Sequence, residues 1–435
     1  MPERVRQSGD ALDRWSWVEA GVWNERMLTA LEQGVKGGKW HSLIDKVYSD
    51  RNLRQAFARV KANKGSAGVD HQTIDGFERR LDENLERIQA ALRQGTYVPQ
   101  GIRRVWIPKP GRRAEHRPLG IPTVRDRVVQ TALRNVLEPI FERDFHEHSY
   151  GFRPQRGCRD ALRRVEELLK AGHHVVVDAD FQSYFDSVPQ SPLLKLVQSR
   201  VSDSKVLELV SAFLSQEIME GTSTWTPERG APQGAVISPL LSNIYLDPLD
   251  HLMAARGHEM VRYADDLVIL CRTEAEANQA LALLEEWSSG AGLSLHPEKT
   301  RLVDASQPGG FDFLGYHFER GYKWPSTKSV HKLKDALRAK TKRCNGHSLE
   351  VIIENVNRTT KGWFVYFKFG HKTTFPRLDG WLRMRLRSIL RKRCRGRKGR
   401  GRGRDHQRWP NAFFAKHGLF SLVAARAEAG QSAMR

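Results

Sequence analysis

The spacing of apolar residues predicts helices through much of the first 140 residues. Between residues 40 and 62 apolar positions recur at near-helical spacing, and residues 74–94 carry six of them on one helical face. A short strand broken by two prolines is predicted at residues 103–111. An extended stretch follows and leads into a long helix after Pro122. Residues 1–40, polar with scattered tryptophans, predict an extension with short helices.

Strands and helices alternate in the middle of the chain, which favours an α+β fold. The predicted elements are a buried strand at 175–180, helices at 192–216 and 238–250, a hairpin at 263–271 and a helix at 274–291. From about residue 325 the chain is helical and basic. Residues 395–404, RGRKGRGRGR, are too rich in glycine for a helix and predict a mobile basic linker.

Composition narrows the class of partner. The chain has 435 residues, of which 40% are hydrophobic, and it carries 71 Lys and Arg against 50 Asp and Glu, for a net charge of +21. This excess predicts a polyanion partner, most commonly nucleic acid. No apolar run approaches a membrane span, the N-terminus lacks the apolar core of a signal peptide, and the four cysteines form no CxxC pair. We therefore expect a soluble, cytoplasmic protein with no membrane partner, no zinc site and no disulfide framework.

The most informative stretch is RYADDLVIL, residues 262–270. Asp265 and Asp266 form an acidic tip in the predicted hairpin, and paired acids at a buried sheet edge need a cation to neutralise them. Mg²⁺ takes carboxylate and phosphate oxygens, and two such ions serve nucleotidyl transfer. A third carboxylate is available in VVVDADFQSYFDSV, where Asp180 ends a valine strand. Asp178 lies on the same strand face and Asp186 follows, so spacing alone does not choose among them.

Eight segments in one order resemble the blocks of a reverse transcriptase, most closely those of bacterial group II introns. They are AGVD, RPLGIPTVRDRVVQTAL, YGFRPQRGC, DFQSYFD, APQGAVISPLLSNIYLDPLD, RYADD, GLSLHPEKT and FDFLGY, and they cover about residues 64–320. The basic segments KGWFVYFKFG and RWPNAFFAKHGLFSL resemble the family's maturase or thumb region. The resemblance implies a right-hand polymerase, with fingers and palm built on antiparallel sheet, followed by an α-helical thumb/maturase domain and a basic C-terminal tail. The implied divisions are 1–63 for an N-terminal helical extension, 64–322 for fingers and palm, 323–394 for thumb/maturase and 395–435 for the basic linker and tail.

The resemblance also assigns the metal site. Asp180, Asp265 and Asp266 match the family's catalytic acids, which hold two Mg²⁺ ions, with Mn²⁺ as a possible substitute. The backbone carbonyl of Phe181 matches an additional metal ligand. Phe185 matches the aromatic residue that abuts the incoming sugar and excludes a 2′-hydroxyl, although an ordinary core aromatic is the alternative.

Further residues are expected to contact the substrates. Gln233, within PQG, matches the residue that lies along the incoming dNTP, and Lys109 and Arg117 are candidates to grip its triphosphate. Arg125 and Lys299 are candidates for nucleic-acid binding, with a solvated role as the alternative for each cation. In the basic linker, the predicted phosphate contacts are Arg397, Lys398, Arg400, Arg402 and Arg404.

The leading hypothesis is an RNA-directed DNA polymerase of a group II intron that also assists splicing and mobility. Its expected partners are structured intron RNA, an RNA template with a DNA primer, target DNA and dNTPs, while the oligomeric state stays open. Because no cysteine pairs follow the maturase-like region, no zinc-containing HNH endonuclease is expected. The alternatives are a related enzyme used in phage defence, spacer acquisition or DNA repair, and a non-catalytic RNA-binding splicing cofactor.

Overall fold

The computed structural model describes residues 14–109, 112–344, 346–395 and 403–432. The chain forms two compact units, the first from residues up to 109 together with 114–302, and the second mainly from residue 303 onward. The predicted four-part domain division stays a prediction. Within the described ranges, no helix combines the length and apolar character needed to cross a membrane.

The described part of the first unit contains twelve α-helices and a short 3-10 helix, Lys36–Gly38. In chain order the α-helices are α1 Glu25–Gln33, α2 Ile44–Val47, α3 Asp50–Asn63, α4 Ile74–Glu78, α5 Leu81–Gln94, α6 Val124–Glu142, α7 Cys158–Lys170, α8 Tyr184–Ser187, α9 Gln190–Arg200, α10 Ser204–Leu214, α11 Ser238–Ala255 and α12 Glu274–Gly290. Polar side chains cap several of them, as when Thr123 accepts a hydrogen bond from the Asp126 backbone N–H at the start of α6. Helix α6 is buried almost all round, since it lies at the centre of the core.

Two sheets accompany these helices. One has the strand order β2-β1-β4-β5, formed by β1 Ile102–Lys109, β2 Arg112–Ile121, β4 Ile218–Glu220 and β5 Ser223–Trp225. The other has the order β6-β7-β3-β8, formed by β3 Val175–Asp180, β6 Glu259–Tyr263, β7 Asp266–Cys271 and β8 Arg301–Asp304. In the second sheet β3, β6 and β7 pair antiparallel and are buried through their centres, as their valine, leucine and isoleucine content predicts. The expected mixed α+β fold with antiparallel sheet is confirmed.

The second unit joins a small sheet to helices. The sheet has the order β11-β10-β9, with β9 Phe311–Phe313, β10 Tyr316–Glu319 and β11 Tyr322–Pro325. The helices are α13 Thr327–Lys340, α14 Leu349–Phe367, α15 Thr374–Arg395, α16 Arg404–Arg408, α17 Asn411–Lys416 and α18 Leu422–Ser432. Their apolar faces form a separate core that includes Phe364 and, at its margin, Trp363 and Trp381. These aromatic side chains therefore pack in or against the core of the second unit.

Several predicted elements differ from those observed. The strand at 175–180 and the helices at 238–250 and 274–291 are confirmed. The predicted helices at 74–94 and 192–216 are each two helices. The second break occurs because Asp203 caps α10 and also accepts hydrogen bonds from the backbone N–H groups of Leu43 and Ile44, at 2.6 and 2.9 Å. The strand predicted to be broken by prolines runs unbroken over Ile102–Lys109.

Candidate active site

The pairing of β3 with β7 brings two of the predicted acids together. Asp180, the last residue of β3, is the register partner of Asp266, the first residue of β7. Asp178 instead faces Val268 across the ladder. The strand register therefore distinguishes Asp180 from Asp178, which spacing alone does not. It places Asp180 beside the acidic turn.

The predicted hairpin is present, but its tip lies one residue earlier than predicted. Tyr263 pairs with Asp266, so the two turn residues are Ala264 and Asp265, and Asp266 already belongs to β7. Ala264 has φ of 60°, in the left-handed region that residues other than glycine seldom adopt. Something outside the turn must hold it there.

A buried arginine supplies that restraint. The Arg262 guanidinium donates a 2.9 Å hydrogen bond to the Ala264 carbonyl, a 3.0 Å bond to Asn243 Oδ1 and a 2.7 Å bond to Asp250 Oδ1. It also pairs with Asp250 Oδ2. The side chains of Arg262 and Asp250 are 1% and 2% exposed, so this ion pair is removed from water and satisfied by hydrogen bonds.

The YGF segment completes the support of the turn. Its backbone joins β6 through Tyr150 N–H to the Arg262 carbonyl at 2.9 Å, and Asn243 Nδ2 donates to the Gly151 carbonyl at 2.8 Å. A Cβ at Gly151 would clash with the backbone nitrogen of Ala264. The glycine is thus needed for close backbone approach, and α11, β6 and residues 150–151 together fix the position of Asp265.

Basic side chains from the GLSLHPEKT region neutralise the acids of β3. Lys299 Nζ pairs with Asp180 Oδ2, and Arg301 Nε lies 3.1 Å from Asp178 Oδ2. The backbone fixes this arrangement, because His296 N–H donates to the Asp180 carbonyl at 2.7 Å and Phe181 forms an isolated bridge with Leu295. Lys299 is predicted to contact nucleic acid, but in the structure its ammonium pairs with Asp180, a predicted metal ligand.

The electrostatics of the turn favour a bound cation. Burial raises the pKa of Asp265 above its usual range, and the negative charge of Asp180 raises it further, while Arg262 and Lys299 oppose this. Carboxylate oxygens are the donors that Mg²⁺ prefers, so the donor set fits that ion in chemistry. Even so, nowhere in the described ranges are three or more His, Cys, Asp or Glu side chains grouped to hold a metal. Asp180 faces Lys299 instead.

Phe185 lies beside a cavity of about 430 Å³. The cavity is lined by Phe185 and Asp186 together with Arg104, Trp106, Pro118, Ile218, Trp225, Pro227, Arg229, Gly230, Ala231 and Pro232. The Phe185 carbonyl accepts a 2.8 Å hydrogen bond from Ala231 N–H, and its ring packs edge-on against buried Tyr184. Burial raises the pKa of Asp186, and Asp186 lies with the cavity rather than with the paired acids.

The PQG loop is fastened to β2. Gly120 N–H donates to the Gln233 carbonyl at 2.7 Å, and Gly234 has φ of 109° with no room for a Cβ against the Gly120 carbonyl. Arg117 is exposed on the same strand. Lys109 ends β1, but its side chain lies outside the described part of the structure.

The remaining predicted cations are scattered. The Arg125 guanidinium lies 4.7 Å from the Tyr97 ring centroid and donates to the Val98 carbonyl, so it is partly engaged within the protein. Arg404 is exposed at the start of α16. The other four linker cations, Arg397, Lys398, Arg400 and Arg402, lie outside the described residues.

Sequence reasoning missed the buried support of the turn. Its residues are Arg262, Asn243, Asp250 and Gly151. One signal was present, because Asn243 and Asp250 are polar residues seven apart in a mostly apolar helix and therefore share a helical face. A polar pair on an apolar face predicts a buried partner.

Two family models match the chain in agreement with this geometry. Residues 107–318 match "Reverse transcriptase (RNA-dependent DNA polymerase)", and residues 330–409 match "Group II intron, maturase-specific domain". The first match contains the opposed acids and the second covers most of the helices of the second unit. The class is therefore that of a reverse transcriptase joined to a maturase domain.

Several curated relatives carry intron names. The chain is 38% identical to the group II intron-encoded protein LtrA of Lactococcus lactis over 197 residues, covering 45% of this chain and 32% of LtrA. It is 33% identical to protein YkfC of Escherichia coli over 312 residues, covering 62% of this chain and 80% of YkfC. A putative COX1/OXI3 intron 1 protein of Saccharomyces cerevisiae is 24% identical over 400 residues, covering 78% of this chain and 47% of that protein. The chain belongs to the group II intron reverse transcriptase and maturase family, as its motifs predict.

The chain spans only about a third of the length of LtrA. Among solved structures, the chain is similar to the partial Cas6-RT-Cas1–Cas2 complex at 23% identity, covering 57% of this chain and 41% of that chain, with a TM-score of 0.35. A likeness of that size carries no functional argument.

Proposed function

We propose that the protein is an RNA-directed DNA polymerase that copies RNA into DNA and binds intron RNA to assist splicing and mobility. The observation that carries the proposal is the pairing of Asp180 with Asp266 beside a turn that holds Asp265 rigidly. Three carboxylates at one sheet end suit the chemistry of phosphoryl transfer, in which charge must be stabilised on phosphate oxygens.

The acids are proposed to hold two Mg²⁺ ions, or Mn²⁺ in their place, with the Phe181 carbonyl as a further ligand. When bound, the metal supplies activation of the primer 3′-hydroxyl and neutralisation of the incoming triphosphate. The contribution of the protein is orientation. Arg262 fixes the Ala264–Asp265 turn, and the β3–β7 ladder fixes the separation of the acids, so little rearrangement of these backbones is needed.

Substrate contacts are proposed on the adjoining loops. Phe185 lies at a cavity wall, where its ring is suited to exclude a 2′-hydroxyl, and Gln233 lies in a loop held against β2. Lys109 and Arg117, from the β1–β2 segment, are proposed to contact the triphosphate. Lys299 must release Asp180 for that carboxylate to bind metal, and its ammonium then remains close to the reacting phosphates.

RNA recognition is proposed for the basic surfaces. With a net charge of +21, the chain is suited to bind structured intron RNA, an RNA template with a DNA primer, and target DNA through phosphate contacts. Arg125, Arg404 and the other linker cations are candidates for these contacts. The match to a maturase-specific domain over residues 330–409 supports an intron RNA as one of the partners.

The test is dNTP incorporation on poly(rA)/oligo(dT) with Asp265→Asn and Asp266→Asn. Each amide removes a charge needed to hold Mg²⁺, so incorporation should fall by more than a hundredfold, while RNA affinity should change little because it arises from distant cations. Asp178→Asn is the matched control, since Asp178 lies on β3, which pairs with β7, but its carboxylate pairs with Arg301. Residual activity within tenfold of wild type in the Asp265 and Asp266 variants would contradict the assignment.

A further inference from the structure

A cation-lined cavity lies within the second unit, between the end of α13 and the middle of α15. Its volume is about 360 Å³, within the range of small-ligand pockets. The lining residues are Arg338, Thr341, Arg343, Trp381, Met384, Arg385 and Ser388. These lining residues include three arginines and no acid. Arg338 also pairs with Asp335, one helical turn earlier.

The indole ring of Trp381 makes cation–π contacts with several of these positive charges. The guanidinium carbons of Arg338 and Arg385 lie 5.8 and 5.4 Å from the indole centroid, and Lys334 Nζ lies 5.8 Å from it. Cation–π attraction to one ring gathers cations that otherwise repel one another. An anion entering the cavity would relieve that repulsion.

Arg385 is held in place before any ligand arrives. Its Nε donates to Thr341 Oγ1 at 2.6 Å and its Nη2 donates to the Thr341 carbonyl at 3.0 Å. Burial, followed by the positive charges of Arg338 and Arg343, lowers the pKa of Arg385. A guanidinium fixed by one edge keeps its remaining N–H groups aimed in a constant direction, which suits an oxyanion with several acceptor oxygens.

We propose that this cavity is a discrete phosphate-binding site, in which Arg338, Arg343 and Arg385 together contact one phosphate group of a nucleic acid. The proposal rests on the proposed function only for the identity of the ligand, because a chain of the maturase family with this net charge has nucleic acid as its natural anion. Phosphate offers tetrahedral oxygens that match converging guanidinium forks.

The same chemistry is presented by an internal phosphodiester of RNA and by a terminal phosphate. The experiment titrates the full-length protein with uridylyl-uridine, with its uncharged methylphosphonate analogue and with uridine 5′-monophosphate, following binding by ligand-observed NMR. Wild type should bind the charged dinucleotide at least tenfold more tightly than the uncharged analogue. Tighter binding of the monophosphate would assign the site to a terminal phosphate, and equal or tighter binding of the dinucleotide would assign it to an internal phosphodiester.

Two variants test the cavity itself. Arg343→Gln removes an exposed lining cation without disturbing the core, and Arg385→Lys keeps the charge but loses the fork. Both variants should bind the charged dinucleotide at least fivefold more weakly than wild type. Arg358→Gln is the matched control, because this arginine lies on α14 of the same unit and is 74% exposed beside Glu354. Its affinity should stay within twofold of wild type.

Equal losses in the cavity variants and in Arg358→Gln would overturn the proposal, since the cavity would then be no different from any basic surface. Affinity that does not depend on the phosphate charge would overturn it as well. Polymerase activity is measured separately with dNTPs. Absence of phosphate binding by a wild-type protein that polymerises would reject the cavity proposal alone, whereas an inactive wild type that still shows the variant pattern would reject only the polymerase proposal.

Discussion

Two ion pairs flank the same acidic turn, and they differ in almost every physical respect. Arg262–Asp250 is buried, with side chains 1% and 2% exposed, and its guanidinium also holds the Ala264 carbonyl. Lys299–Asp180 is open to solvent, with side chains 57% and 31% exposed. A buried pair satisfied by hydrogen bonds is costly to break, whereas an exposed pair exchanges its partner at little cost. One pair fixes the site and the other is free to yield to a ligand.

The two pairs also differ in the side chain that provides the positive charge. Arginine offers a rigid fork with five donors, and Arg262 uses it to reach Asp250, Asn243 and the Ala264 carbonyl at once. Lysine is a flexible point charge. Lys299 is therefore suited to neutralise Asp180 temporarily, but not to hold a strained backbone turn.

Breaking the buried pair should give the largest effect on stability. Arg262→Met leaves Asp250 charged and buried without its partner, so the free energy of unfolding should fall by about 3–5 kcal/mol. Urea denaturation followed by circular dichroism measures it. Arg164→Met is the control, because Arg164 pairs with Glu259 of the same strand at 2.7 Å but with side chains 25% and 35% exposed, and it should cost no more than about 1 kcal/mol.

A loss below about 1 kcal/mol in Arg262→Met would show that the buried network is not what stabilises the hairpin. The double variant Arg262→Met with Asp250→Leu sharpens the result. Since it removes both charges, it should recover part of the lost stability.

The hairpin also shows what sequence could and could not predict. The apolar strands around Asp265 and Asp266 are visible from composition, as is the valine strand that ends at Asp180. The turn was placed one residue late because the left-handed conformation of Ala264 depends on Arg262 and Gly151, which act through tertiary contacts. Likewise, the choice between Asp178 and Asp180 depends on a register between strands 86 or more residues apart.

Roles of the cations were the hardest to predict. Any lysine or arginine of a basic chain is a plausible phosphate contact, and the sequence carries no sign that Lys299 lies on Asp180 or that Arg125 packs on Tyr97. Their positions depend on long-range pairings, such as Phe181 with Leu295. The buried polar helix face of Asn243 and Asp250 was predictable in kind, although its partner was not.

A smaller effect should appear one helical turn from Asp250, at the half-buried Asp247. Its nearest partners are the His146 backbone N–H at 3.3 Å and His251 Nε2 at 3.5 Å. Burial raises the pKa of Asp247 to about 6. Because the folded pKa exceeds the unfolded value, this group favours folding fully below about pH 4, and that contribution is lost as the pH rises through about 6.

Asp247→Asn should therefore become more stable relative to wild type as the pH rises from about 4 to 7, by about 1–2 kcal/mol. Urea midpoints across that range measure the difference. Both proteins keep His146 and His251, so the comparison between them isolates the change at Asp247. A difference that stays constant with pH, or that changes in the opposite direction, would show that folding does not raise the pKa of Asp247.

The smallest change in stability is expected for the exposed pair, and it is the most informative about function. Lys299→Met should alter the free energy of unfolding by less than about 1 kcal/mol. Because it frees Asp180 from a competing cation, it should tighten Mn²⁺ binding, measured by electron paramagnetic resonance, by up to about fivefold. Arg301→Met is the matched control, since its partner Asp178 is not a proposed ligand, and Mn²⁺ affinity should stay unchanged. Weaker or unaltered Mn²⁺ binding in Lys299→Met would mean that the ammonium does not compete with a metal at Asp180. The exposed pair would then have no proposed role in metal binding, and its difference from the buried pair would be one of stability alone.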